Sequence, residues 1–105
     1  MESMHQHSFK SWPFDCPDSV GCMTTRQVME HGFPILAILH DLDGSWQVLC
    51  DTTEDPRDGM IVCLGCLLDR FPLIEEHARL MAGYEAIRSS EQSPWSVRKT
   101  EYRDQ

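Results

Sequence analysis

Two short spacings in this chain carry residue types that can do chemistry. Asp41-Leu42-Asp43-Gly44 sets two carboxylates one residue apart beside a glycine, which is how a cation-binding loop with oxygen donors begins. Cys63-Leu64-Gly65-Cys66 sets two thiols at the separation found in half a zinc site or in a redox pair. The calcium chemistry fails on its own terms. A loop opening at Asp41 needs glycine at its sixth position and glutamate at its twelfth, and Trp46 and Thr52 stand there. A β-hairpin asks only for a short Asp-Gly turn between strands, and Asp43-Gly44 between Leu39 and Val48 supplies it. The expected hairpin places Asp41 opposite Trp46, Leu39 opposite Val48, Ala37 opposite Cys50 and His40 opposite Gln47.

Zinc at Cys63 and Cys66 needs two further ligands, and the sequence holds no second C-x2-C and no His-x3-5-His. Only Cys16, Cys22, Cys50, His5 or His7, all remote in sequence, remain to complete a set. The flanks Met60-Ile61-Val62 and Leu67-Leu68 are apolar, and apolar surroundings raise a thiol pKa and make it inert. Buried structural cysteines are therefore expected, with a thiol or zinc protein built on Cys63 and Cys66 as the alternative. Five cysteines at irregular spacing, with no export signal in the sequence, are expected to stay free thiols. No glycine-rich phosphate loop, G-x-S-x-G elbow or H-E-x-x-H is present, and His40 and His77 have no nucleophile at a readable spacing. No catalytic or cofactor-binding residue is assigned, and a non-enzymatic role is expected.

The elements around these residues follow from pattern. Residues 1–22 lack apolar periodicity and contain Pro13 and Pro17, so they read as an irregular arm held by Phe9, Trp12 and Phe14. Thr24-Thr25 before Arg26–His31 and Gly32 after it read as the caps of a short helix, with a short strand at Cys22 to Thr24 before it. Ile35-Leu36-Ala37-Ile38-Leu39 is apolar at every position, as a central strand covered on both faces is. Ser45 to Asp51 alternates, with Trp46, Val48 and Cys50 on one face. Met60–Phe71 fits a helix, or equally a strand that turns into one. Pro72–Ala82 has the strongest helical signature, with proline first, acids early, Arg79 late and Gly83 placed for a C-cap. Tyr84 to Arg88 alternates as a last strand, and a polar tail follows. The expected architecture is an α+β domain with a core at 23–90 and a C-terminal tail at 91–105. Its small, mainly antiparallel sheet is centred on a hairpin at about 35–41 and 45–51, with helices packed on one face and irregular terminal arms.

A chain of 105 residues with nine bases and seventeen acids carries a formal charge of −8. Residues 1–60 hold ten of the acids and three of the bases, whereas residues 61–105 are near neutral. No basic stripe is available to displace counterions from phosphates, so nucleic acid is not an expected partner. The longest mainly apolar run, Met60–Leu68, is nine residues, far below the roughly 20 that span a bilayer, and membrane association is not expected either. A soluble, cytoplasmic protein is the expectation, monomeric or a weak homodimer. Trp12 and Trp95 read as core or arm-locking residues. Trp46 adjoins the segment Asp41–Asp58, which carries six acids and one base. Asp41, Asp43, Trp46, Glu54, Asp55 and Asp58 are therefore the candidate interface for a basic protein partner.

The run FPILAILHDLDGSWQVL, the acidic turn, the helical region, the Gly-aromatic-x-Ala-x-Arg strand (Gly83, Tyr84, Ala86, Arg88) and Pro94-Trp95 together resemble small bacterial proteins grouped with immunity protein 33. The resemblance implies a compact α+β domain and, as a narrower expectation, binding to a cognate toxin. It supplies no catalytic residue. A non-catalytic protein-interaction domain, immunity-like in its narrower form, is the function expected.

Overall fold

The computed structural model describes residues 11–50 and 55–100. The elements run β1 (Gly21–Thr25), α1 (Arg26–Glu30), β2 (Ala37–His40), β3 (Trp46–Leu49), a 3-10 turn (Pro56–Asp58), β4 (Gly59–Cys63), α2 (Leu64–Arg70), a 3-10 helix (Pro72–His77), β5 (Tyr84–Ile87) and β6 (Ser96–Lys99). The six strands form one sheet in the order β4-β1-β3-β2-β5-β6. This is the expected α+β class, but the sheet is mixed, not mainly antiparallel. β1 and β3 pair in parallel, with Cys22 beside Trp46. A parallel pair needs a crossover, and α1 with residues 31–36 carries the chain past β3 so that β2 lands on its far side. Pairing distant in sequence was the part that local pattern could not show.

One face of the sheet builds the core. Cys22, Ile38, Trp46, Val48 and Cys50 project from it and join Val28 of α1, Leu64, Leu67 and Leu68 of α2, and Ile74 of the 3-10 helix. Burying side chains of this kind contributes about 1.5–3 kcal/mol each for the larger ones. Phe14 of the N-terminal arm completes the cluster, edge-on to Trp46 at 5.0 Å. Helices packed on one face is thus what the structure shows.

The hairpin forms with a register one residue away from expectation. His40 lies opposite Trp46, Leu39 opposite Gln47 and Ala37 opposite Leu49. The Asp41 N–H donates to the Ser45 carbonyl at 2.8 Å and the Gly44 N–H to the Asp41 carbonyl at 2.9 Å. The loop therefore has three residues, 42–44, and Gly44 sits in the left-handed region at φ 92. The expected pairing of Asp41 with Trp46 implies a loop with an even number of residues, and a change of one residue re-pairs the whole ladder.

One open alternative is decided and two further elements differ from the sequence reading. β4 turns directly into α2, the strand-then-helix form of Met60–Phe71. The expected helix at Pro72–Ala82 is a 3-10 helix ending at His77, its i→i+3 character visible in Ile74 N–H to Phe71 O and Ala78 N–H to Glu75 O. Its buried residues Ile74 and His77 are three apart, which aligns them in 3-10 geometry. An α-helix through residue 82 would also carry away the Leu80 carbonyl, which accepts from His40 Nδ1 at 2.7 Å, and the Gly83 N–H, which donates to the His40 carbonyl. The C-terminal tail is not irregular throughout. Residues 96–99 form β6, where Arg98 pairs with Glu85 across the ladder.

Gly44 and Gly83 both occupy φ near +90, but a Cβ at Gly44 meets nothing within 4 Å, whereas one at Gly83 meets Leu42 Cδ2 at 2.9 Å. Gly44→Ala therefore costs the backbone term alone, roughly 1–2 kcal/mol, and Gly83→Ala costs more. Urea midpoints measured for both variants should rank wild type, then Gly44→Ala, then Gly83→Ala.

Candidate functional site

The acidic residues picked out from sequence do not form one surface. β3 runs parallel to β1 with Trp46 beside Cys22, so loop 41–45 lies beyond the Gly21 end of β1. Thr25 pairs with Gly59, so the turn at Pro56–Asp58 lies beyond the opposite end. Asp41 accepts from Gln47 Nε2 at 2.8 Å, and Asp43 accepts from the Ser45 N–H and hydroxyl at 2.9 and 2.7 Å. Those bonds hold Asp43 below the usual carboxylate range, the Ser45 hydroxyl contributing most. The hairpin aspartates thus shape their own loop. Asp55 pairs with Arg57 at 2.9 Å and Asp58 accepts from Gln27 Nε2 at 3.0 Å. Glu54 lies outside the described residues. Trp46, read as an exposed anchor, is only 4% exposed: it stacks on His40 at 4.0 Å and meets Phe14 edge-on. It belongs to the core because the hairpin register turns it inward.

The C-x2-C motif straddles the junction of β4 and α2. Cys63 is the N-cap residue, and its Sγ accepts from the Cys66 N–H at 3.1 Å, a capping role that fits the strand-to-helix turn. Cys66 is pushed up to about 11, by burial first and then by its hydrogen bond to Cys63. Cys22 is pushed up to about 12 by burial and the neighbouring Cys16, and Cys16 is raised by burial. No disulfide joins any of the described cysteines. Among the described residues no three of His, Cys, Asp or Glu converge as metal ligands do.

Mapping of labelled peptides can test this environment. Native Cys66 should react with iodoacetamide at pH 7.5 about tenfold more slowly than in denaturant, because the thiolate is the reactive form. Equal rates in the two states would show that the raised pKa is mistaken.

Two features of the structure had no counterpart in the sequence reading. The first is the sheet face away from the helices. Met23 and Ile61 pair across β1 and β4 on that face, 38% and 66% exposed. Leu39, Leu49 and Ile87 share the face and are half-buried. An antiparallel sheet open to water normally presents polar residues at such positions. Here Thr25, Gln47, Glu85, Ser96 and Arg98 are the polar residues of the face. Alternation of Met60-Ile61-Val62 with Met23 could have signalled this face, had the β1–β4 pairing been readable.

The second is the segment 79–82, which separates two clefts. One, about 550 Å³, lies between His40, Trp46 and Cys16 on one side and residues 78–82 on the other. The other, about 380 Å³, lies between the 3-10 helix and the β5–β6 ladder. His77, 8% exposed, lines the smaller cleft and meets Trp95 edge-on at 4.6 Å, while the Arg88 guanidinium covers Trp95 at 4.4 Å. Trp95 is thereby pinned, as an arm-locking residue is. Trp12 is likewise partly buried, its Nε1 donating to the Cys16 carbonyl.

No family model, curated protein or solved structure matches this chain. No helix among the described residues is long and apolar enough to cross a membrane.

Burial lowers the His77 pKa; the Glu76 charge opposes it in part, and the Arg88 charge adds a smaller lowering. A folded-state value below the unfolded 6.5 means the unfolded chain binds more protons in that window. This contribution to stability is complete above the unfolded value and is lost as pH falls below it. Thermal midpoints taken between about pH 7.5 and 5 should fall more steeply for wild type than for His77→Gln. Parallel curves for the two proteins would remove His77 as the cause.

Proposed function

We propose that this chain is a non-catalytic protein-interaction domain whose contact surface is the open sheet face at the β4–β1 edge. The observation that carries the reading is the exposure of the cross-strand neighbours Met23 and Ile61 on a face where solvent favours polar residues. Covering each of these side chains with a partner stabilises a complex by up to about 1.5–3 kcal/mol. β4 is also an edge strand without a charged residue between Gly59 and Cys63, so its outward backbone groups are open to further pairing. β6, at the other edge, carries Arg98 and Lys99 and is protected by them.

The charge of the chain defines the partner. A surface beside the acidic turn at Asp55 and Asp58, in a chain of net charge −8, favours a basic protein and fast, salt-sensitive association. The resemblance to the immunity protein 33 group supports the narrower reading of a neutraliser that binds one cognate basic toxin. Ile61 and Met23 then take the anchoring role that Trp46 was expected to fill.

The test uses immobilised wild type, Ile61→Lys and a control, Val97→Lys, at the far end of the sheet. A basic protein should be retained from native lysate at low salt by wild type and by Val97→Lys, and lost from Ile61→Lys and at high salt. Recovery of the same protein by Ile61→Lys, or no salt-sensitive partner from wild type, would sink the reading.

A further inference from the structure

We propose that the cleft between the 3-10 helix and the β5–β6 ladder binds a small molecule with an apolar body and a carboxylate. Its volume, about 380 Å³, is at the small end of ligand sites. Leu80, Met81, Tyr84 and Val97 make walls that are mainly apolar, and Met81 and Val97 stay 66% and 59% exposed at the rim. Walls of this kind suit an aromatic ring or a short branched chain and leave little room for a larger ligand.

His77 supplies the independent sign of a ligand. It is the buried member of the lining, and its Nε2 atom is inaccessible to water without a hydrogen-bond partner among the described residues. Native proteins seldom leave a buried polar atom unpaired, and one at a cleft is explained when a ligand supplies the partner. In the tautomer with the proton on Nε2, His77 donates to a ligand oxygen once a small shift of its ring opens that atom to the cleft. Charge selects which oxygen. Arg79 lines the cleft and makes no ion pair among the described residues, and Lys99 stands opposite Tyr84 on the same side of the sheet. Glu76 is the one acid of the lining. The lining itself holds one base and one acid, Arg79 and Glu76, and Lys99 beside Tyr84 adds positive charge next to it; a guanidinium fits a carboxylate in two-pronged fashion.

The probes are phenylacetate and its neutral isostere phenylacetamide, titrated into the full-length isotope-labelled protein with amide shifts read by NMR. Phenylacetate should give saturable shifts confined to residues 76–84 and 97–99, and the amide should bind at least about tenfold more weakly. Arg79→Gln should lower affinity for phenylacetate about tenfold while leaving the amide unchanged. His77→Phe, which keeps an apolar ring, should weaken both probes, and His77→Gln, which keeps a hydrogen-bonding group, should recover part of the loss. Spectra of each variant without probe establish that it folds. Absence of saturation by about 1 mM, shifts centred elsewhere, or equal affinity for acid and amide would each overturn the proposal.

Discussion

The register of one hairpin governs most of this structure. Gly44 in the left-handed region closes a three-residue loop, and that odd count sets His40 opposite Trp46. His40 then stacks on the core tryptophan, and its ring nitrogen reaches the Leu80 carbonyl while its own carbonyl takes the Gly83 N–H. A carbonyl can only accept, so Nδ1 carries the proton and His40 is fixed as a donor. These two bonds draw residues 80–83 onto the end of β2, stop the 3-10 helix after His77, and start β5 in register with His40 beside Tyr84. With a two-residue loop His40 would face the other side, and the ridge between the clefts would have no anchor.

What could be read from the amino acids was what depends on near neighbours. The hairpin, the N-cap at Thr25, the turn at Pro56–Asp58 and the shared face of Trp46, Val48 and Cys50 all follow from composition and spacing within a few residues, whereas the burial of Trp46 on that face does not. The apolar setting of Cys63 and Cys66 was legible in the same way, and the structure adds that Cys63 caps a helix. What was not legible depends on partners far along the chain. The parallel pairing of β1 with β3 leaves no local mark. β6 is four residues and becomes a strand because Arg98 finds the largely buried Glu85 and Ser96 finds Ile87. The signature of Pro72–Ala82 was that of an α-helix, and tertiary hydrogen bonds to His40 outweighed it, as they can when local propensity differs by tenths of a kcal/mol per residue.

The candidate site was less legible than the fold for a related reason. An acidic segment can be seen in sequence, but whether its parts share a surface depends on strand direction, and the parallel pair sends the hairpin tip and the Asp55–Asp58 turn to opposite ends of the sheet. Tryptophan type suggests an anchor, but register decides exposure. The apolar face that remains open is made of ordinary residues, Met23 and Ile61, which carry a functional reading only once the sheet shows that no core claims them.

The two surfaces can act independently, and geometry explains how. Along β5, Glu85 and Ile87 belong to the open face, while Tyr84 and Ala86 belong to the face of the helices and the cleft, so the sheet itself stands between a docked protein and a bound ligand. The surfaces also sit toward opposite edges. From β4 to β6 the sheet has five inter-strand steps of about 4.8 Å, or about 24 Å in all, roughly three times the screening length at physiological salt. Asp55 and Asp58 lie in the turn that leads into β4, whereas Arg79 and Lys99 stand by the cleft beside β5 and β6. A protein docked as proposed at the β4–β1 edge and an anion bound as proposed beside β6 would therefore occupy opposite edges and opposite faces of one sheet, and neither would block the other.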